Sequence, residues 1–174
     1  DGANVEIFER VGEEHIFKMC TSWHKDFDTC EEKDETIIDL WNEFVTNADT
    51  VIVAGDFGDP SYAGRLNGKK ILIMGNHDWE WWNKVGKHEY EHFEHVCPYP
   101  TMIENFYLVS HEPQYVSPNG VIANIFAHVH DNPNYKNVSS RGYCVSAERI
   151  DWSPILLDSI IEEMKMEEKA NGNF

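Results

Sequence analysis

Ile71-Leu72-Ile73-Met74-Gly75-Asn76-His77-Asp78 joins four apolar residues to a glycine and three side chains suited to metal or proton chemistry. A short, continuous apolar run closed by a turn residue reads as a strand buried on both faces. The same construction stands upstream, where Val51-Ile52-Val53-Ala54 runs into Gly55-Asp56. A third apolar run, Val121 to Phe126, leads through Ala127 into His128-Val129-His130. Packing does not require ligand-type side chains after three separate buried strands. A metal site built on strand ends does.

Working outward, the chain alternates strand and helix signals. Ile37, Ile38, Leu40, Trp41, Phe44 and Val45 recur at helical spacing and predict a helix from Asp34 to about Asn47, with Asp34 as its cap. A short helical piece is predicted near Tyr62–Leu66, and a longer helix over Trp79 to Val96. Phe106–Ser110, Val121–Phe126 and Tyr143–Glu148 read as further strands. Ser153-Pro154 is expected to open a final helix with proline in its first turn. Val5–Arg10 and His15–Thr21 flank Val11-Gly12-Glu13-Glu14 and read as a hairpin. The order strand, helix, strand predicts an α/β fold with partly parallel pairing. With no repeat or linker, residues 1–174 are expected to form one domain, with residues 1–14 as an N-terminal hairpin extension and 170–174 as a frayed tail.

The chain carries 31 acidic against 14 basic residues, a formal charge of −17, which argues against a surface that grips duplex nucleic acid through its phosphates. An anionic substrate is still admissible where bound divalent ions reverse the local field. No apolar stretch is long enough for a membrane helix and no leader pattern is seen, so a cytoplasmic location is expected. Cys20, Cys30, Cys97 and Cys144 form no CxxC pair, and Cys20 and Cys144 lie in apolar runs, as buried thiols of a reducing compartment do.

The candidate metal ligands in chain order are His24, Asp56, Asn76, His111, His128 and His130. Carboxylate and amide oxygens suit hard cations, and imidazole suits zinc, iron and manganese. The mixture fits a two-metal centre that clamps a phosphoryl group, with Asp56 bridging and a metal-bridging hydroxide as nucleophile. His77 is expected to face the space above the metals, where it can protonate a leaving alkoxide. Asp78 is expected to hydrogen-bond His77 and hold its tautomer. His88, His92 and His95 have metal-capable helical spacing but sit among glutamates and read as a solvated face. Trp79, Trp81 and Trp82 read as a buried helix face in preference to an aromatic wall for a base or aryl group. Arg65, Arg141 and Arg149 are candidates for contacting substrate phosphate.

Gly55-Asp56, Gly75-Asn76-His77-Asp78, Ser110-His111 and Ala127-His128-Val129-His130 together resemble the ordered motifs of the calcineurin-like metallophosphoesterases. The likeness runs from about Ile16 to Ile161. Leu66 to Ile71 and Cys144 to Glu148 resemble the small, single-domain bacterial and phage branch. The resemblance implies a sandwich of two mixed β-sheets flanked by helices, holding two divalent ions. Mn²⁺ is the first expectation, with Zn²⁺, Fe²⁺ or Ni²⁺ as alternatives. It implies that His24, Asp56 and His130 hold the first ion, and Asp56, Asn76, His111 and His128 the second. His77 takes the role of the leaving-group histidine.

The family's opening Asp-x-His corresponds here to Ser22-Trp23-His24, so a hydroxyl replaces a carboxylate and the first ion is expected to be weakly held or absent. Asp26, Asp28 and Cys20 are the nearby groups that can substitute. The function implied is metal-dependent hydrolysis of a phosphate ester, a phosphodiester first. The alternatives are a phosphomonoesterase or nucleotide phosphatase, and a metal-weakened protein-binding scaffold of the same fold.

Overall fold

The computed structural model of the chain describes residues 14–17, 27–117 and 119–171. Along them run β1 (Glu14–Phe17), α1 (Cys30–Phe44), β2 (Thr50–Val53), β3 (Lys69–Ile73), α2 (Asn76–Val85), β4 (His95–Cys97) and β5 (Thr101–Ile103). β6 (Tyr107–Val109), β7 (Ala123–Phe126), β8 (Val138–Ser139), β9 (Gly142–Cys144), β10 (Ile155–Leu156) and α3 (Leu157–Ala170) follow. Short 3-10 turns occupy Pro60–Arg65, Lys87–Tyr90 and Ala147–Arg149.

The strands form two mixed sheets, ordered β10-β1-β2-β3-β4 and β5-β6-β7-β9-β8. In the first, β1, β2, β3 and β4 are mutually parallel, and β10 pairs antiparallel with β1. In the second, β6, β7 and β9 are parallel, with β5 and β8 antiparallel at the edges. The fold is therefore α/β, as the element order predicts.

Parallel pairing explains the apolar runs. Val51, Val53 and Leu72 are fully buried, because both faces of β2 and β3 are covered. α1 contributes Ile37 and Trp41, both fully buried, its C-cap Val45 is buried beside them, and α3 contributes Leu157 and Ile160. The Trp41 indole N–H donates to the Asn67 carbonyl at 3.0 Å, so burying this large ring leaves no polar atom unpaired. α3 touches β1 and β10 of the first sheet and β8 and β9 of the second, and the buried residues form one contiguous core.

Several expected boundaries shift for identifiable reasons. α1 starts at Cys30 rather than Asp34, because Thr29 is the cap: its hydroxyl accepts from the Glu32 N–H at 3.0 Å. The acidic run thus begins the helix, where Glu31 and Glu32 meet its positive end. The predicted helix over Trp79 to Val96 ends at Val85, because Gly86 turns the chain at φ 86°; a 3-10 turn and the strand β4 fill the remainder. Pro154 does not open the last helix. Ile155 and Leu156 are first used as β10, paired with β1, and α3 begins at Leu157. Glu14, expected in the hairpin turn, is the first residue of β1 and pairs with Thr50. The strand expected at Val5–Arg10 lies outside the described residues, as do Cys20, Ser22, His24 and Asp26.

Candidate metal centre

Parallel strands bring their carboxyl ends to one side, where α/β sheets bind ligands. Val53 lies opposite Leu72, so Gly55-Asp56 after β2 and Gly75-Asn76 after β3 emerge side by side. In the second sheet Val109 lies opposite Ile125, so His111 after β6 and His128 after β7 emerge together. Two ligands therefore come from each sheet.

The loops meet because glycine lets them. A Cβ on Gly55, whose φ is 83°, would fall 2.5 Å from His111 Nδ1. A Cβ on Gly75 would fall 2.7 Å from the Asp56 nitrogen and against its carboxylate. Asp56 itself is left-handed at φ 53°, a conformation that costs a non-glycine residue about 1 kcal/mol and has to be held by its surroundings.

Asp78 holds it. Its fully buried carboxylate accepts from the N–H groups of Asp56 at 2.7 Å, Phe57 and Gly75 at 2.8 Å, and Gly58 at 3.4 Å. Burial pushes this carboxyl above the ordinary aspartate range; Asp56 adds to the rise, and the Gly75, Asp56 and Gly58 N–H groups pull against it. The expected hydrogen bond from Asp78 to His77 is not made. Asp78 is the third residue of α2, where its side chain turns back to the chain entering the helix and ties both glycine loops together. His77 instead stands with its Nδ1 3.4 Å from Glu80 Oε2, its side chain 47% exposed, and its backbone N–H on Asp56 Oδ1 at 3.0 Å.

The donors converge on His111. Its Nδ1 lies 3.0 Å from the Ala54 carbonyl oxygen, an acceptor only, so Nδ1 carries a proton and Nε2 is the ring nitrogen left to meet a ligand. That nitrogen faces Asp56 Oδ2 at 3.1 Å, Asn76 Oδ1 at 3.1 Å and His128 Nδ1 at 2.9 Å. Turning the Asn76 amide to offer N–H would satisfy one contact and leave carboxylate and imidazole still facing the same nitrogen. A cation bound among these four atoms would satisfy all of them at once. Octahedral ligands at about 2.1 Å from an ion lie about 3.0 Å apart, matching these separations. Two oxygens and two imidazoles suit zinc, manganese or iron better than calcium or magnesium. The residues present fit one divalent ion held by Asp56, Asn76, His111 and His128.

His130 stands outside this cluster. Its Nδ1 lies 2.6 Å from Glu148 Oε1, and its backbone is left-handed at φ 51°. Its expected companion His24 lies outside the described residues.

Each of the three arginines proposed for phosphate contact has a partner elsewhere in the structure. Arg65 forms a two-pronged pair with Glu35 at 2.6 and 2.8 Å, and Arg141 lies 3.7 Å from Glu168. Arg149 donates to the carbonyls of His130 at 2.5 Å, Asn132 at 2.7 Å and Tyr135 at 2.9 Å, and also to Asn137 Oδ1. It fastens the loop that follows His128. His88 lies in a 3-10 turn and His95 in β4, so the expected histidine helix face does not exist.

Sequence reading missed two supports. Asn124, buried in β7, donates to Leu108 O and Ser110 Oγ at 2.8 Å and accepts from the Gln114 N–H at 2.7 Å, bracing the loop that carries His111. The signal was a polar residue inside the apolar run Val121–Phe126. Arg149 had no such signal, because most of its partners are backbone carbonyls.

No family model and no curated protein matches the chain. Among solved structures it is similar to the protein of unknown function AQ665 from Aquifex aeolicus, with a TM-score of 0.60 and 21% identity over 87% of this chain and 98% of that one. At that identity the likeness speaks for the fold alone.

Proposed function

We propose that the chain is a metal-dependent phosphoesterase, acting first on phosphodiesters. The observation that carries this reading is the convergence of Asp56, Asn76 and His128 on Nε2 of His111, within 3.1 Å. A divalent ion held there supplies Lewis acidity: it offsets phosphoryl charge and brings the pKa of a water towards neutrality.

The chain's own groups supply the rest. Asp56 is held by His77 N–H on one oxygen and faces His111 with the other, so its carboxylate is fixed before any ligand arrives. The His111 ring is locked by Ala54, and the Asn76 amide is presented from the first turn of α2. His77, next to Asn76 and half exposed, is placed to give its proton to the departing oxygen as the bond from phosphorus to that oxygen breaks.

The test is hydrolysis of an aryl phosphodiester by the full chain supplied with Mn²⁺, Ni²⁺ or Zn²⁺, against His77→Ala and His111→Ala. Turnover that falls at least about a hundredfold in both variants is expected. Wild-type turnover no greater than that of His77→Ala refutes the reading.

A further inference from the structure

A hollow of about 820 Å³ beside Trp82 and His95 shares no residue with the donor cluster. A smaller cleft of about 270 Å³ does: it is lined by the donors Asn76 and His111 together with Trp79, Pro100, Glu112 and Gln114. Whatever group hangs from a phosphorus at the donor cluster on this side lies in that cleft.

Trp79 is three residues beyond Asn76 on α2, so the two side chains share a face of the helix. The indole is 41% exposed, against the expectation of a buried helix face; Asp78 is the buried residue of α2. The neighbouring tryptophans are engaged. Trp82 packs on Tyr90 at 5.0 Å, and Trp81 carries the Lys84 ammonium at 4.3 Å. Among the described residues no ring or cation covers Trp79. An uncovered indole beside a polar centre, in a cleft also lined by the buried Met74, is a stacking surface.

Charge narrows the occupant. No lysine or arginine lines the cleft, and Glu112 does. A second phosphate would meet a carboxylate and no compensating cation. The small volume suits one ring system, lying just below the roughly 300–1,000 Å³ of ordinary small-molecule sites.

We propose that this cleft seats the ester group of the substrate, and that it selects a flat, uncharged aromatic ring (an aryl group or a nucleobase) stacked on Trp79. The proposal rests on the phosphoesterase reading of the adjoining donors. The test separates the two by using binding of compounds that cannot be hydrolysed. Phenylphosphonate, methylphosphonate and pyrophosphate are titrated calorimetrically into the Zn²⁺-loaded full chain, its Trp79→Ala variant and its Trp79→Phe variant.

Phenylphosphonate is expected to bind about tenfold more tightly than methylphosphonate, and more tightly than pyrophosphate. Trp79→Ala should erase the aryl preference while leaving methylphosphonate affinity in place, and Trp79→Phe should keep most of it. Equal affinity for the two phosphonates, a preference that survives Trp79→Ala, tighter binding of pyrophosphate, or no binding at all overturns the proposal. An aryl preference without turnover of any ester sinks the hydrolytic reading and leaves the cleft assignment standing. Turnover with equal kcat/KM for phenyl and methyl esters does the reverse.

Discussion

Replacing Asp78 tests whether it is a structural clamp or a partner of His77. Its carboxylate has no exposed surface and accepts from the N–H groups of Gly75, Asp56, Phe57 and Gly58. Three of those bonds are 2.7–2.8 Å long. Bonds to a charged acceptor contribute about 1.5–3 kcal/mol each, so the three short ones hold about 5–9 kcal/mol gross. Removing the carboxylate also removes its own desolvation, worth several kcal/mol, which offsets part of that sum. Asp78→Ala should therefore cost about 3–5 kcal/mol, at the upper end for a single substitution.

Asp78→Asn makes a finer test. Either orientation of the amide points a donor at two backbone N–H groups. Facing Phe57 and Gly58 is the milder choice, since one of those bonds is already 3.4 Å long. The expected cost is about 2–3 kcal/mol. Because the same bonds hold Asp56 in its left-handed turn, both variants should also bind Zn²⁺ at least about tenfold more weakly. Urea denaturation followed by circular dichroism and tryptophan fluorescence gives the first quantity, and calorimetric titration of Zn²⁺ the second. An Asp78→Ala variant that loses less than about 1 kcal/mol and keeps wild-type Zn²⁺ affinity would refute the clamp. A partner of His77, by contrast, would change turnover and leave stability alone.

Gly75→Ala should abolish Zn²⁺ binding, since its Cβ lands 2.7 Å from the Asp56 nitrogen; a variant with wild-type Zn²⁺ stoichiometry would show that the loops can part. Zn²⁺ at a hundred times its Kd should stabilise the wild type by about 2.7 kcal/mol, roughly 5–10 °C in Tm, and calorimetric scans of His111→Ala should show no such shift. Arg149→Lys should loosen residues 130–137, because a point charge cannot replace a planar fork that reaches several carbonyls; faster amide exchange confined to that loop is the expected readout, and unchanged exchange would count against it.

Much of this was legible in the residues, and the legible part has a common cause. Val51–Ala54 and Ile71–Met74 are apolar throughout because their strands are covered on both faces, and a glycine follows each because the loops touch. Burial and close approach leave marks on the residues themselves. What escaped depends on partners far away in the chain. β10 is two residues long and is defined only by its pairing with β1. The role of Asp78 was misjudged because its neighbour in sequence, His77, suggested a partner. Its real partners are backbone N–H groups, three of them more than nineteen residues upstream. Trp79 differs from Trp82 only in what α2 happens to lie against, which helical spacing does not reveal.

That the four donors divide between two sheets has a consequence for synthesis. Asp56 and Asn76 leave the ribosome as a pair of oxygens on a sheet still lacking β10, and they remain half a site until His111 and His128 follow. Closing contacts across such separations is slow, so the complete donor set belongs to the last stage of folding rather than to a nucleus. Uptake of Zn²⁺ during refolding should therefore track the slowest phase seen by tryptophan fluorescence; an ion captured within the dead time would show the two sheets meeting first. A cell making this chain would load it only when it is nearly finished.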